Sequence, residues 1–124
     1  MDLPWGDEEY DPCTFDMVTI AGTTHFQFIT TFDDGGGFHV QTNFKSMGTG
    51  LGAPSLYTYT VKDDLLYSSQ AVNPGATIRQ EMDLMILGPR SVDNYIKHMI
   101  FKMTINNNGV PTASFDRSFE KCVG

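Results

Sequence analysis

Hydrophobic and polar residues alternate with a period of two along most of the chain. This alternation is typical of β-strands that bury one face and expose the other. The two clearest runs, Tyr95 to Ile105 and Val110 to Cys122, flank the turn Asn106-Asn107-Asn108-Gly109. Asn-Gly between alternating runs predicts a β-hairpin, because both residues tolerate the positive φ of tight hairpin turns.

The same pattern predicts six more strands upstream of this hairpin. Gly22 is expected to end the first of them, and Lys62-Asp63-Asp64 to form a turn between the fourth and fifth. Gly48 to Pro54 is interpreted as a flexible rim loop, since the Lys-Ser/Thr of a phosphate-binding loop does not follow it. The predicted strands are Thr14–Ile20, Thr23–Phe32, Gly37–Met47, Ser55–Val61, Leu65–Ala71 and Ala76–Leu87.

Alternation also predicts which residues share a face. Placing Phe32 opposite Phe38 gathers the aromatic residues of that hairpin on one side, with His25 and His39 on the other. In the last hairpin, placing Asn106 opposite Val110 sets the apolar residues apart from a polar group. The predicted apolar set is Met99, Phe101, Met103, Ala113, Phe115 and Phe119, and the polar set includes His98, Lys102, Asp116 and Glu120.

Eight short strands joined by hairpin turns predict an all-β, single-domain antiparallel up-and-down β-barrel over residues 13–124, with a sandwich as the alternative. Barrel closure would remove the exposed edges of so long a sheet. Residues 1–12 have no period and carry two prolines, so they are interpreted as an extended or disordered acidic arm.

The two cysteines lie near opposite ends of the chain, Cys13 at the first predicted strand and Cys122 at the last. Barrel closure would bring these strand ends together, so a Cys13–Cys122 disulfide is predicted. Such a bridge would stabilise the fold by roughly 4–5 kcal/mol in the chain-entropy description. The alternative is two free thiols in a cytosolic protein.

The composition is acidic, with a formal net charge of −7 and a pI of about 4.6 over 124 residues. Nucleic acid is excluded as a partner on this ground, because phosphate binding requires a basic face. No apolar run is long enough to span a bilayer, so no membrane partner is predicted. Met1-Asp2-Leu3-Pro4 lacks the features of a signal peptide, although a chain whose signal had been removed would look the same.

Several short motifs resemble a group of small, mostly uncharacterised exported bacterial proteins. They are Cys13-Thr14, Gly22-Thr23-Thr24-His25, Gly36-Gly37-Phe38-His39-Val40, Gly48-Thr49-Gly50, His98, Asn106-Asn107-Asn108-Gly109 and Glu120-Lys121-Cys122. The resemblance covers most of residues 13–122, and Lys102 stands where those proteins often carry a second late histidine. It implies export to a secreted or periplasmic location and a disulfide, and it implies no activity.

The first functional hypothesis is a small-molecule binding barrel with an apolar cavity. Nine Phe and seven Met residues are many for this length, and such side chains suit a flat or hydrophobic ligand. The alternative is a well-filled core without a cavity. The predicted ligand-binding residues are Phe28, Phe44, Tyr57, Tyr59, Met82, Met99, Phe101, Phe115 and Arg117.

The second hypothesis is an enzyme that acts on such a ligand by acid–base chemistry, as an isomerase, cyclase or demethylase, without a cofactor. Asp116, His98 and Glu81 are the candidate catalytic groups, since a carboxyl group beside a histidine can exchange protons in a cavity that shifts its pKa. The same residues on the outside of a barrel would be ordinary cross-strand pairs. No metal site is predicted from His25, His39 and His98, which lie on separate strands.

The third hypothesis is an interaction protein that forms a homo-oligomer. A surplus of aromatic residues on a sheet surface favours association with another copy.

Overall fold

The computed structural model describes residues 1–32, 37–72, 75–106 and 108–124, leaving aside the side chains of residues 71, 72 and 112–116. Within these ranges, seven strands form a single antiparallel sheet in which each strand pairs with the next along the chain. The strands are β1 (Asp2–Asp11), β2 (Asp16–Phe32), β3 (Phe38–Ala53), β4 (Thr58–Val72), β5 (Gly75–Leu87), β6 (Asn94–Ile105) and β7 (Pro111–Val123). The prediction of an all-β, up-and-down antiparallel protein is confirmed.

The prediction of a closed eight-stranded barrel is wrong. The described residues form seven strands, and β1 does not pair with β7, so the sheet stays open. One reason lies in the unequal lengths of the first two strands. β1 accompanies β2 only as far as His25, so residues 27–32 of β2 pair with β3 on one side and, within the described residues, with no strand on the other.

Three stretches that were not predicted as strands are part of the sheet. Gly22 does not end a strand but lies within β2, and Lys62-Asp63-Asp64 lies within β4 rather than forming a turn. Residues 2–11, expected as an arm, are extended and pair with β2. Turn-forming residues do not end a strand where both neighbouring strands continue to supply hydrogen bonds.

The glycine-rich stretch predicted as a rim loop is mostly strand, because β3 runs to Ala53. Gly50 and Gly52 face the core, where an added Cβ on Gly50 would overlap Val18. A Cβ on Gly52 would lie 2.8 Å from Cε2 of Tyr59. Glycine inside a strand is typical of close approach at a tight bend, and here it lets neighbouring side chains close over β3.

The register of the β2–β3 hairpin is confirmed. Phe32 lies opposite Phe38, and Phe26 lies opposite Phe44. The rings of Phe26 and Phe44 have centroids 5.1 Å apart. The aromatic side chains of this hairpin therefore share one face of the sheet, as the alternation predicts.

The register predicted for the β6–β7 hairpin is wrong over most of its length. Ile105 lies opposite Pro111, as the turn predicts, but Thr104 lies opposite Ala113. Thr112 is therefore an extra, unpaired residue at a β-bulge. The bulge shifts every later position of β7 by one residue against β6, so that Asp116 lies opposite Phe101 instead of Ile100.

The core lies at the end of the sheet near the disulfide. Its buried side chains come from β2, β4, β5 and β6, and Trp5, Cys13 and Val92 pack against them. One sheet supplies these strands, so the sheet curls around its own core at this end. The buried apolar residues are Val18, Ile20, Tyr59, Val61, Leu84, Ile86 and Tyr95.

The predicted disulfide is present between Cys13 and Cys122, whose Cα atoms are 5.7 Å apart. It joins the β1–β2 turn to the end of β7, so it holds the curled end together without backbone pairing of the two edge strands. The described residues contain no helix of the length and apolarity needed to cross a membrane.

Candidate functional site

The sheet has two faces that differ in chemistry. The apolar face is the one that carries the core residues Val18, Tyr59 and Leu84. The polar face is the opposite one, and it carries His25 and His98. Side chains at alternate positions of a strand point to opposite faces, so each residue below belongs to one of the two.

The apolar face contains a hollow of about 250 Å³ between β5 and β6. Met82 lies opposite Met99, and Gln80 lies opposite Phe101. These four side chains line the hollow. The structure thus brings three of the predicted ligand-binding residues together, and it adds Gln80, whose amide can donate or accept a hydrogen bond.

The other predicted ligand-binding residues lie elsewhere. Phe28 and Phe44 are on the same face as the hollow but on β2 and β3, with Phe28 exposed and Phe44 half-buried. Arg117 is exposed on the polar face, opposite Ile100. The side chain of Phe115 lies outside the described residues.

Tyr59, predicted as a ligand-binding residue, lies in the core. It is fully buried, and its hydroxyl donates a hydrogen bond of 2.7 Å to Oδ2 of Asp16. The hydroxyl of Thr14 is 3.0 Å away. Tyr57, which packs edge-on against Tyr59 with 6.4 Å between ring centroids, is the more exposed of the two.

Asp16 is a buried carboxylate held by hydrogen bonds. Its Oδ1 accepts a 3.1 Å hydrogen bond from the backbone N–H of Ser55, and the Ser55 hydroxyl donates to Oδ2. Burial acts to raise the pKa of Asp16, but the hydrogen bonds from Ser55 and Tyr59 outweigh it and leave the pKa lowered. These contacts fasten the loop after β3 to the core, which is a structural role.

On the polar face, His98 lies directly opposite Asp83 in the β5–β6 ladder. Its Nδ1 is hydrogen-bonded to Oδ1 of Asp83, and its Nε2 is 3.9 Å from Oε1 of Glu81. The Phe119 ring lies beside the imidazole, with 5.4 Å between centroids. A histidine between two carboxylates can bind and release a proton, or form an ion pair when it is protonated.

Two of the three predicted catalytic residues, His98 and Glu81, are therefore neighbours. Asp116 pairs with Phe101 in the β6–β7 ladder, not with a neighbour of His98 as predicted, and its side chain lies outside the described residues. Asp83 takes the place that Asp116 was expected to fill. Glu81, Asp83 and His98 also offer donor atoms within 4.8 Å of one another, the spacing that a metal ion would need.

The three histidines do not converge. Nδ1 of His25 is 2.7 Å from Oδ1 of Asp2, and Nε2 of His39 is 3.0 Å from the hydroxyl of Ser68. Each histidine of the polar face thus has its own partner on a neighbouring strand, and together they form no three-histidine centre.

Two shallow grooves of about 430 Å³ and 300 Å³ run along the polar face and share Lys45, Asp64 and Asp83. Their walls carry both signs of charge, since Lys62 lines the first and Glu81 the second. The second groove, whose lining is mostly polar, suits a polar or zwitterionic molecule better than a hydrophobic one.

Carboxyl groups also lie inside the curl of the sheet. Burial, followed by the negative charge of Asp7, raises the pKa of Asp63 to about 6. Burial likewise raises the pKa of Glu9, again with Asp7 as the next cause. Among the described residues, Oδ1 of Asp63 accepts no hydrogen bond, so this carboxyl is poorly compensated when charged.

Sequence reasoning did not select Asp83, Gln80 or Asp63. Asp83 stands in an alternating run, but its partner becomes visible only once the β5–β6 register is known. Gln80 reads as a polar interruption of β5, and Asp63 as part of a turn. Compared with protein-family models, curated proteins and solved structures, the chain shows no match.

Proposed function

We propose that the protein binds a small hydrophobic or flat aromatic molecule on its apolar face. The observation that supports this is the hollow lined by Met82, Met99, Phe101 and Gln80. Methionine adapts to irregular apolar shapes, and a phenyl ring can stack on a flat ligand. Gln80 supplies one polar contact that would orient the ligand.

The size and openness of the hollow limit the ligand. Its volume of about 250 Å³ is below the 300–1,000 Å³ of typical small-molecule pockets. The ligand is therefore a compact molecule, or only part of a larger one is covered. The Phe/Met-rich surface around the hollow can hold the remainder by apolar contact.

The experiment is a titration with the fluorescent probe 1-anilinonaphthalene-8-sulfonate, using Met82→Gln and Met99→Gln as test variants. The matched control is Met17→Gln, which changes an exposed methionine on the polar face that lines neither the hollow nor the two grooves. We expect the affinity for the probe to fall at least about fivefold in both test variants and to stay unchanged in the control. If the wild-type protein and the three variants bind the probe equally well, or if none of them binds it, the proposal is contradicted.

A second candidate is acid–base catalysis on the polar face, supported by the contact between His98 and Asp83 beside the two grooves. The substrate would be polar, because the groove beside Glu81 also carries Lys45 and Asp64. A screen of polar metabolites for turnover, comparing the wild-type protein with His98→Ala, tests this. Turnover that His98→Ala retains in full would remove the proposed role.

We also propose that the protein works outside the reducing cytosol. The Cys13–Cys122 disulfide supports this, because disulfides persist in oxidising compartments. In protein purified from its host under alkylating conditions, we expect both cysteines to escape alkylation. Two alkylated thiols would contradict an exported location.

A further inference from the structure

The half of the sheet away from the disulfide carries an uncharged surface on its apolar face. This surface, named the open apolar face, covers β2 to β6. None of its residues is charged, although the chain has 15 acidic and 8 basic residues. Its described residues are Phe26, Phe28, Thr30, Phe32, Phe38, Val40, Thr42, Phe44, Leu65, Tyr67, Ser69, Ala76, Ile78, Gln80, Met82, Met99, Phe101, Met103 and Ile105.

Large side chains of the open apolar face are exposed to solvent. Phe28 is 60% exposed, Phe32 79% and Phe38 42%. The core lies at the other end of the sheet, so these rings are not covered by the residues that bury Val18 and Tyr59. Contiguous apolar surface of this kind on a soluble protein is typical of an interaction site.

The total accessible surface points to the same conclusion. The chain exposes 7922 Å² for a mass of 13.8 kDa. A folded monomer of this mass is expected to expose about 6,600 Å². The excess of about 1,300 Å² exceeds the roughly 800 Å² that each partner buries in a standard protein–protein interface.

The dimensions of the open apolar face agree with an interface of that size. Five strands about 4.8 Å apart and seven residues long cover about 24 Å by 23 Å, or roughly 550 Å² of flat area. The relief of the side chains makes the accessible area of such a face larger than its flat area. One such face can therefore supply most of one side of a standard interface.

We propose that a second copy of this chain covers the open apolar face, so that two sheets stack face to face in a two-fold dimer. Stacked sheets lie about 10 Å apart, with interdigitated side chains between them. An isologous contact requires a surface that can pack against itself, and an uncharged aromatic face meets this requirement without repulsion.

The charge of the protein favours this occupant over a lipid surface. The net charge of −7 opposes binding to anionic membranes. In a face-to-face dimer, the open apolar face on β2 to β6 places no acidic side chain of one copy against an acidic side chain of the other. The partner copy would also roof the hollow at Met82 and Met99. The dimer does not depend on the ligand proposed above, since its evidence is the exposed area.

The experiment measures the mass in solution by size-exclusion chromatography with multi-angle light scattering, from about 1 to 200 µM. The test variant is Phe28→Lys and the matched control is Ile29→Lys. Ile29 is the next residue of β2, is 55% exposed and points to the polar face. Both positions are exposed, so neither substitution removes core packing.

We expect wild type and Ile29→Lys to approach 27.6 kDa, twice the 13.8 kDa of one chain. Phe28→Lys should raise the dissociation constant at least about tenfold, because it buries an unpaired charge in the interface. A wild-type protein that stays at 13.8 kDa up to 200 µM would overturn the proposal. So would equal effects of the two variants, or a monomer that binds neutral phosphatidylcholine vesicles through this face.

Discussion

The hydroxyl of Tyr59 donates a 2.7 Å hydrogen bond to Oδ2 of Asp16, which precedes it by 43 residues. Both residues are buried, so this contact joins β2 to β4 inside the core. A buried carboxylate that loses one of its donors is left with part of its desolvation cost uncompensated, even though Ser55 still donates to it. The pair is therefore a sensitive point of the fold.

Tyr59→Phe removes this donor and keeps the ring. We expect the free energy of unfolding at pH 7 to fall by about 1.5–3 kcal/mol, and the melting temperature by about 5–10 °C. Tyr57→Phe, at a position 43% exposed, should change it by less than about 0.5 kcal/mol. Urea unfolding measures both.

The effect of Tyr59→Phe should also depend on pH. The pKa of Asp16 is lowered in the folded protein, so its contribution to stability is present above the unfolded-state pKa and is lost as the pH falls. Wild type and variant should therefore converge in acid. A difference that stays constant from pH 7 to pH 3 would show that the hydrogen bond to Asp16 is not its cause.

Asp63→Asn should stabilise the protein above pH 6. The folded-state pKa of Asp63 is raised to about 6, so the folded protein binds more protons than the unfolded chain between that value and the unfolded-state pKa. Stability from this group is therefore present in acid and lost as the pH rises.

For Asp63→Asn we expect the melting temperature at pH 8 to rise by about 5 °C, with little change at pH 4. Asp64→Asn is the control, because Asp64 is the next residue and is exposed on the polar face. Calorimetry at both pH values provides the measurement, and an equal rise for the two variants would contradict the assignment.

Gly50→Ala should destabilise the curled end of the sheet. The added methyl group would overlap Val18 and would lie 3.3 Å from Cγ2 of Val61, so we expect a loss of about 1–3 kcal/mol. Gly6→Ala is the control, since its nearest neighbour would be the carbonyl oxygen of Ile20 at 3.7 Å. If both variants unfold at the same urea concentration, the packing described for Gly50 is wrong.

The contact between His98 and Asp83 should contribute little to stability. Their side chains are 19% and 51% exposed, and cross-strand pairs of this kind contribute below about 1 kcal/mol. A double-mutant cycle with His98→Gln and Asp83→Asn, followed by urea unfolding, measures the coupling. A coupling above about 2 kcal/mol would show that this pair holds the sheet together.

Alternation predicted strands correctly where apolar residues mark one face, as in the hairpin of Phe32 and Phe38. It did not predict β1, because Asp7, Glu9 and Asp11 occupy the positions that face the core side. β1 therefore lacks the alternating hydrophobic pattern of a strand, although its backbone pairs with β2. Glycine has a similar effect in β3, since it marks a bend without adding an apolar side chain.

The sequence pattern also could not predict which residues of β5 and β6 face each other. The pairing of His98 with Asp83 depends on the register between β5 and β6, and residues 88–93 between them carry no turn signal that determines it. The prediction of barrel closure was wrong for a related reason. Alternation indicates where a strand lies in the sequence, but it does not indicate how far the neighbouring strand extends beside it. The apolar hollow could not be predicted for the same reason, since only the register between β5 and β6 places Met82 opposite Met99.

The bulge at Thr112 takes up one residue that the ladder between β6 and β7 does not need. Deleting Thr112 would leave the later pairs as they are, because Ala113 would then follow Pro111 and still lie opposite Thr104. A deletion of three nucleotides at this position should therefore be tolerated, whereas a single-residue deletion inside a regular strand moves everything beyond it to the opposite side of the sheet.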